Sequence, residues 1–67
     1  MKIINNQGDE YVLTVTVNEL QTLNNALNEV CNGIPIEDFE NRVGVPVAVA
    51  EQLLDSIFNA LNSRRNN

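Results

Sequence analysis

The chain of 67 residues carries nine carboxylates against four basic side chains, a formal net charge of −5, and it contains one cysteine and no histidine. One cysteine excludes an intramolecular disulfide, and without histidine the chain lacks the ligands of an ordinary zinc site. The bases other than Arg42 are Lys2, Arg64 and Arg65, near the chain ends. A monomer therefore lacks the several cations that nucleic-acid phosphates require, and we expect neither a metal nor a nucleic-acid partner.

A chain of this length is expected to form a single domain, residues 1–67. Its core alone supplies roughly 3–5 kcal/mol, and neither a disulfide nor zinc supports it, so we expect a homo-oligomer, with a dimer as the expected form. No apolar run approaches the ~20 residues that span a bilayer, and the first residues lack a secretory signal. An unpaired cysteine suits a reducing compartment. The expected location is the cytoplasm, without membrane association.

Residues 2–17 are predicted to form a β-hairpin. A short first strand leads into a turn at residues 6–9, where Gly8 can adopt positive φ. The second strand alternates apolar side chains on one face: Tyr11, Leu13, Val15 and Val17. Since an isolated two-stranded hairpin is marginally stable in water, we expect this apolar face to lie on helices.

Three helices are predicted to follow, at about residues 19–32, 36–43 and 46–62, before a frayed tail at 63–67. Asn18 is the expected N-cap of the first helix, and Gly33 its expected stop. Residues 43–50 alternate valines as a strand does, yet Pro46 suits a first helical turn and the residues after it repeat with helical period. The predicted fold class is α+β, with a two-stranded N-terminal hairpin packed on three helices, the middle one short.

The polar face of the first helix is the first candidate binding surface. Asparagine is a mediocre helix former because its side chain competes for backbone hydrogen bonds. The face nevertheless carries four of them, in the set Gln21, Asn24, Asn25, Asn28, Glu29 and Asn32. We take Asn25, Asn28 and Glu29 as the predicted contact residues; a solvated face in an asparagine-rich chain is the alternative interpretation.

Arg42 is the only cation between Lys2 and Arg64. The pattern favours a structural ion pair over a role for Arg42 in binding an anion. The candidate carboxylates are Glu29, Glu37, Asp38 and Glu40. The nearby acids Glu37, Asp38 and Glu40 are predicted to offset the dipole of the short helix, since they lack the spacing of a calcium loop.

Catalytic groups are missing from the sequence. A reactive cysteine needs an activating base or an electropositive setting, whereas Cys31 adjoins Val30 in a chain without histidine, so it is predicted to be a small core residue. There is no phosphate-binding glycine loop, no dinucleotide-binding turn and no Ser-His-acid set. We expect neither an enzyme nor a cofactor.

The start of the last helix is unusually apolar. Val45, Val47 and Val49 leave little polar surface there, so this turn is either buried under the hairpin or forms a subunit interface. The last two helices, with Gly44 between them, also have the length of a helix-turn-helix. The would-be recognition helix begins without arginine or lysine, which argues against DNA binding.

Two segments carry a family resemblance. Residues 25–30, Asn-Ala-Leu-Asn-Glu-Val, and residues 39–44, Phe-Glu-Asn-Arg-Val-Gly, resemble a group of small bacterial hypothetical proteins with a NALNEV-like helix and a Phe-x-x-Arg-x-Gly turn. The resemblance covers residues 10–61 and implies a strand, a helix, a turn and a final helix. In the group the final helix starts with polar, acidic residues, whereas this chain has Val47, Ala48 and Val49. That departure favours the interface interpretation of the turn.

The sequence thus predicts a small acidic protein-interaction module, such as an antagonist, an immunity-type protein or an adaptor. In it, Arg42 orients the surface or contacts an anion. The alternative is an oligomer that binds an anionic metabolite or nucleotide between subunits, with Arg42 and the asparagines lining the pocket.

Overall fold

The computed structural model describes residues 1–65 and confirms the α+β class, with a two-stranded hairpin followed by three helices, one of them short. The strands are β1, Lys2–Gln7, and β2, Glu10–Thr14. The helices are α1, Val17–Asn28, which continues into a π-helical turn over Glu29–Gly33, then α2, Phe39–Val43, and α3, Val47–Arg65. Of the predicted tail, residues 63–65 belong to α3, while 66 and 67 lie outside the described residues.

The hairpin closes through the two-residue loop at Gly8 and Asp9. Gly8 has a φ of 59°, as its place in the turn predicts, and this value is unfavourable for residues with a Cβ. The Asn5 amide donates to the carbonyl oxygens of Gly8 and Glu10, at 3.2 and 3.3 Å, which braces the loop. Ile3 pairs with Leu13, so these two side chains share a face.

Helix α1 begins two residues earlier than predicted, because Thr16 rather than Asn18 is its N-cap. The Glu19 N–H donates to Thr16 Oγ1 at 3.1 Å, and the Thr16 N–H donates to Glu19 Oε1 at 2.9 Å. This reciprocal capping box satisfies two backbone donors and ends β2 at Thr14, short of the predicted Val17. The Met1 ammonium also donates to Glu19 Oε2 at 2.7 Å and so ties the hairpin to α1.

The end of α1 differs from the predicted glycine stop. The Ile34 N–H donates to the Glu29 carbonyl at 3.1 Å, a π-helical bond, and Gly33 is not in the left-handed region. The Glu29 carboxylate lies over Gly33, in the space that a Cβ at this position would occupy.

The short α2 begins at Phe39, three residues after the predicted start. Its N-cap, Asp38, has a φ of 55°, and Gly44 ends it with a φ of 97° and an N–H that donates to the Glu40 carbonyl at 2.8 Å. The Pro46 carbonyl then accepts from the N–H groups of Val49 and Ala50, at 3.0 and 3.2 Å. The valine-rich stretch therefore turns into a helix, as the period of the following residues predicts.

Among the helices, packing is concentrated between α1 and α3, while the two strands of the hairpin contact mainly each other. Ala50, 2% exposed, is the one fully buried hydrophobic side chain in the part of the chain for which burial is described. The contact strip is completed by half-buried side chains: Leu20, Asn24 and Leu27 on α1, and Leu54, Ile57 and Leu61 on α3. The apolar face of the hairpin is covered less than expected, since Tyr11 remains 63% exposed and Leu13 53%.

The capping box predicts the effect of one substitution. Thr16→Ala removes the side-chain acceptor for the Glu19 N–H and should lower the free energy of unfolding by about 1 kcal/mol. Thr22→Ala is the matched control, because the Thr22 hydroxyl donates only to the Asn18 carbonyl within α1. Urea unfolding followed by circular dichroism measures both. Equal losses in the two variants would contradict the assigned N-cap.

The same site predicts a pH effect. The hydrogen bond from the Met1 ammonium, reinforced by the Thr16 N–H, lowers the pKa of Glu19 below its ordinary value. Its stabilising contribution is therefore complete above the ordinary glutamate pKa of about 4.3 and is lost as the pH falls through the lowered value.

In urea unfolding at pH 7 and at pH 3, the stability difference between the wild type and Glu19→Gln should shrink in acid. Glu51→Gln, an exposed residue of α3, serves as the control for the loss of one carboxylate. A wild-type advantage over Glu19→Gln that stays constant from pH 7 to pH 3 would refute the effect.

Candidate functional site

One groove lies where the polar face of α1 meets α3; we call it the amide groove. It is lined by Asn24, Asn28, Leu54, Asp55 and Phe58 and has a volume of about 320 Å³. Phe58 is 52% exposed. Two amides, a carboxylate and an exposed aromatic ring thus line a single concave surface.

Asn24 lies deeper than its place on the predicted polar face suggests. Its side chain is half-buried in the α1–α3 strip, and Oδ1 is buried without accepting a hydrogen bond. Leaving a buried acceptor unsatisfied typically costs about 1–3 kcal/mol. Asn24 Oδ1 is thus a polar atom that the packing of α1 against α3 leaves without a partner among the described residues.

The predicted contact residues Asn25 and Asn28 lie on α1, and both are exposed. The Asn25 Oδ1 accepts from Gln21 Nε2 at 3.3 Å, and the Asn28 Oδ1 accepts from Asn32 Nδ2 at 3.0 Å. Each pair spans one helical turn, so these acceptors are engaged within the helix. The Nδ2 groups of Asn25 and Asn28 make no hydrogen bond within the described residues. They are therefore available as donors to an acceptor on a partner.

The expected ion pair between Glu29 and Arg42 does not form. The Glu29 carboxylate instead lies over Gly33 in the π-helical turn, and Arg42 is exposed on α2. Among the side chains that the structure describes, the one ion pair joins the Met1 ammonium to Glu19. Arg42 is also absent from the lining of the amide groove.

The acidic cluster beside α2 has a local structural role. Both carboxylate oxygens of Asp38 accept from Asn41 Nδ2, at 3.1 and 2.9 Å, while Glu40 lies in the first turn of the helix. Within residues 1–65, no group of acids and cysteine is placed to hold a metal ion. None of the helices in that range is both long and apolar enough to cross a membrane.

A second groove lies between α1, α3 and β2; we call it the apolar groove. Its volume is about 410 Å³, and its lining includes Leu13, Leu23, Leu27, Val30, Leu53 and Ile57. None of the predicted interface residues lines this groove: Val45 is half-buried before α3, and Val47 and Val49 are each 44% exposed on its first turn. Val47 and Val49 project about 200° apart around the helix, so one flat partner surface does not cover both.

Sequence reasoning missed Asp55, Phe58 and Leu53. The signal was present in α3, where Leu53 and Phe58 flank the inward Leu54 and Ile57 on opposite sides. This apolar arc is wider than one partner helix can cover.

Comparison with known proteins adds no assignment: no family model matches the chain, and no curated protein or solved structure is significantly similar to it.

The buried amide predicts a gain in stability. Asn24→Leu replaces the unsatisfied Oδ1 with an apolar group of similar size and should raise the free energy of unfolding by about 1 kcal/mol. Asn25→Leu, at the next and exposed position, is the control and should change stability little. Thermal unfolding of the wild type and the two variants measures both effects. A loss of stability in Asn24→Leu would show that the amide is hydrogen-bonded in solution.

Proposed function

We propose that the protein is a small acidic interaction module of the cytoplasm that acts by binding another protein through the amide groove and the adjoining amides of α1. The observation that carries this proposal is a groove in which the Asp55 carboxylate and the Phe58 ring are exposed side by side with the α1 amides.

The lining of the amide groove defines the chemistry of the partner. The exposed Asp55 carboxylate calls for hydrogen-bond donors, and Phe58 offers a ring face to an apolar or cationic side chain. The net charge of −5 speeds encounter with a basic surface. A lysine or arginine side chain of a basic protein meets all three conditions.

An anionic metabolite or nucleotide fits the amide groove less well. Its lining includes the Asp55 carboxylate and no basic side chain, because Arg42 lies elsewhere, on α2. Like charges at contact distance disfavour binding. We therefore place Arg42 outside the proposed contact surface and keep Asn25, Asn28 and Glu29 within or beside it.

The proposal is tested by substitutions that spare the helix packing. Asn28→Ala and Asp55→Asn should each weaken partner binding about tenfold while changing the melting temperature little, since both side chains are exposed. Asn59→Ala, on the exposed polar side of α3, is the matched control and should bind as the wild type does. The tagged chain first captures its partner from lysate, and the purified partner is then titrated by calorimetry.

Losses of binding that track losses of stability in every variant would count against the proposed surface. Unchanged binding in both Asn28→Ala and Asp55→Asn would move the contact elsewhere. Glu29→Ala extends the test to the edge of the surface and should have a smaller effect.

A further inference from the structure

The apolar groove and the amide groove face different sides of the molecule. Leu23 and Asn28 are five residues apart on α1, and Leu53 and Phe58 are five apart on α3, so each pair projects about 140° apart. The α1–α3 strip separates the two grooves. What covers the apolar groove is therefore a different question from what binds the amide groove.

The apolar groove continues onto the hairpin. Leu13 lines the groove, and its cross-strand partner Ile3 lies on the same face of the hairpin, as does Tyr11 two residues away. Leu53, on the opposite wall, is 55% exposed. Together these side chains form an apolar patch that is exposed to water when the chain is alone.

The amount of exposed surface matches what a second chain would bury. The accessible surface is 5443 Å². A monomeric globular protein of 7.5 kDa exposes about 4,200 Å². The excess of about 1,200 Å² exceeds the ~800 Å² per partner that a standard stable interface buries. One further copy of the same size is enough to bring the exposed surface down to the usual value.

The charges around the apolar groove are compatible with a second copy of this acidic chain. The positions three and four residues from Leu53 on α3 are uncharged: Val49, Ala50, Ser56 and Ile57. Around Leu23 on α1 the one carboxylate is Glu19, and the Met1 ammonium neutralises it at 2.7 Å. Two chains of charge −5 can meet here without opposing carboxylates, whereas a basic partner would find no charge to pair with.

We propose that a second copy of this chain covers the apolar groove, forming a two-fold dimer in which the two α1–α3 pairs and hairpins share one core. The interface is then centred on Leu53, Leu23 and Leu13 rather than on Val47. The amide groove stays open on the outside of each copy. A closed two-fold contact uses the same patch on both chains, which also prevents further growth.

The test compares two substitutions of equal exposure on opposite sides of α3. Native mass spectrometry of the wild type should give twice the chain mass. Leu53→Glu, 55% exposed in the apolar groove, should raise the dimer dissociation constant about 100-fold or more, because it buries an unpaired charge. Phe58→Glu, 52% exposed in the amide groove, and Val47→Glu should remain dimeric.

A second measurement covers the case in which Leu53→Glu does not fold. In a Cys31→Ser background, Leu53→Cys should cross-link between copies with a short bifunctional maleimide, and Phe58→Cys should not. Circular dichroism first establishes that both variants are folded. This readout needs no charged substitution in the interface.

A folded wild-type monomer at 100 µM, or equal cross-linking of the two cysteine variants, would overturn the proposed dimer. A monomer that retains an added mass of a few hundred daltons would overturn it too, because an apolar ligand would then fill the groove. Loss of partner binding in Phe58→Glu with the dimer intact bears only on the amide groove, so the two proposals fail separately.

Discussion

Helices α1 and α3 meet along a narrow strip of half-buried side chains, and the other elements are placed relative to that pair. The molecule measures 37 × 32 × 17 Å, so its shortest dimension is less than half of its longest. The radius of gyration is 13.4 Å, against about 11 Å for a compact chain of this length. In so thin a body only Ala50 among the side chains with described burial is fully buried, so the strip alone carries the tertiary packing.

The two sides of this strip differ in chemistry, and each side carries one of the two proposed binding surfaces. One side, with Leu23 and Leu53, is uncharged and apolar, and it continues onto the hairpin through Leu13. The other side brings the Asn24 and Asn28 amides to Asp55 and Phe58. Association through the apolar side would supply the stability that the unsatisfied Asn24 withholds. The fold and the proposed binding surface are then linked through the same two helices.

Much of the fold could be predicted from the sequence, because the spacing of apolar residues and the residue types of turns are local features. Alternation around Leu13 predicts the second strand, positive φ at Gly8 follows from the turn, and the helical repeat after Pro46 decides the start of α3. The Thr16-x-x-Glu19 signature of the capping box was also present, but Asn18 was preferred as the cap. The π-helical turn at Glu29–Gly33 has no comparable signature, since an extra residue within a helix leaves the apolar pattern nearly unchanged.

The candidate site was less predictable, because period shows which arc of a helix is apolar but not what covers it. Asn24 belongs to the predicted polar face of α1, although its side chain is half-buried in the strip. The predicted Glu29–Arg42 pair depended on an orientation of α2 that local sequence does not set. Urea unfolding over a hundredfold range of protein concentration tests most directly whether a second chain covers the exposed apolar arc. The account predicts that each tenfold increase adds about 1.4 kcal/mol to the apparent stability. A midpoint independent of concentration would show that the single chain is stable alone, and it would contradict the shared core.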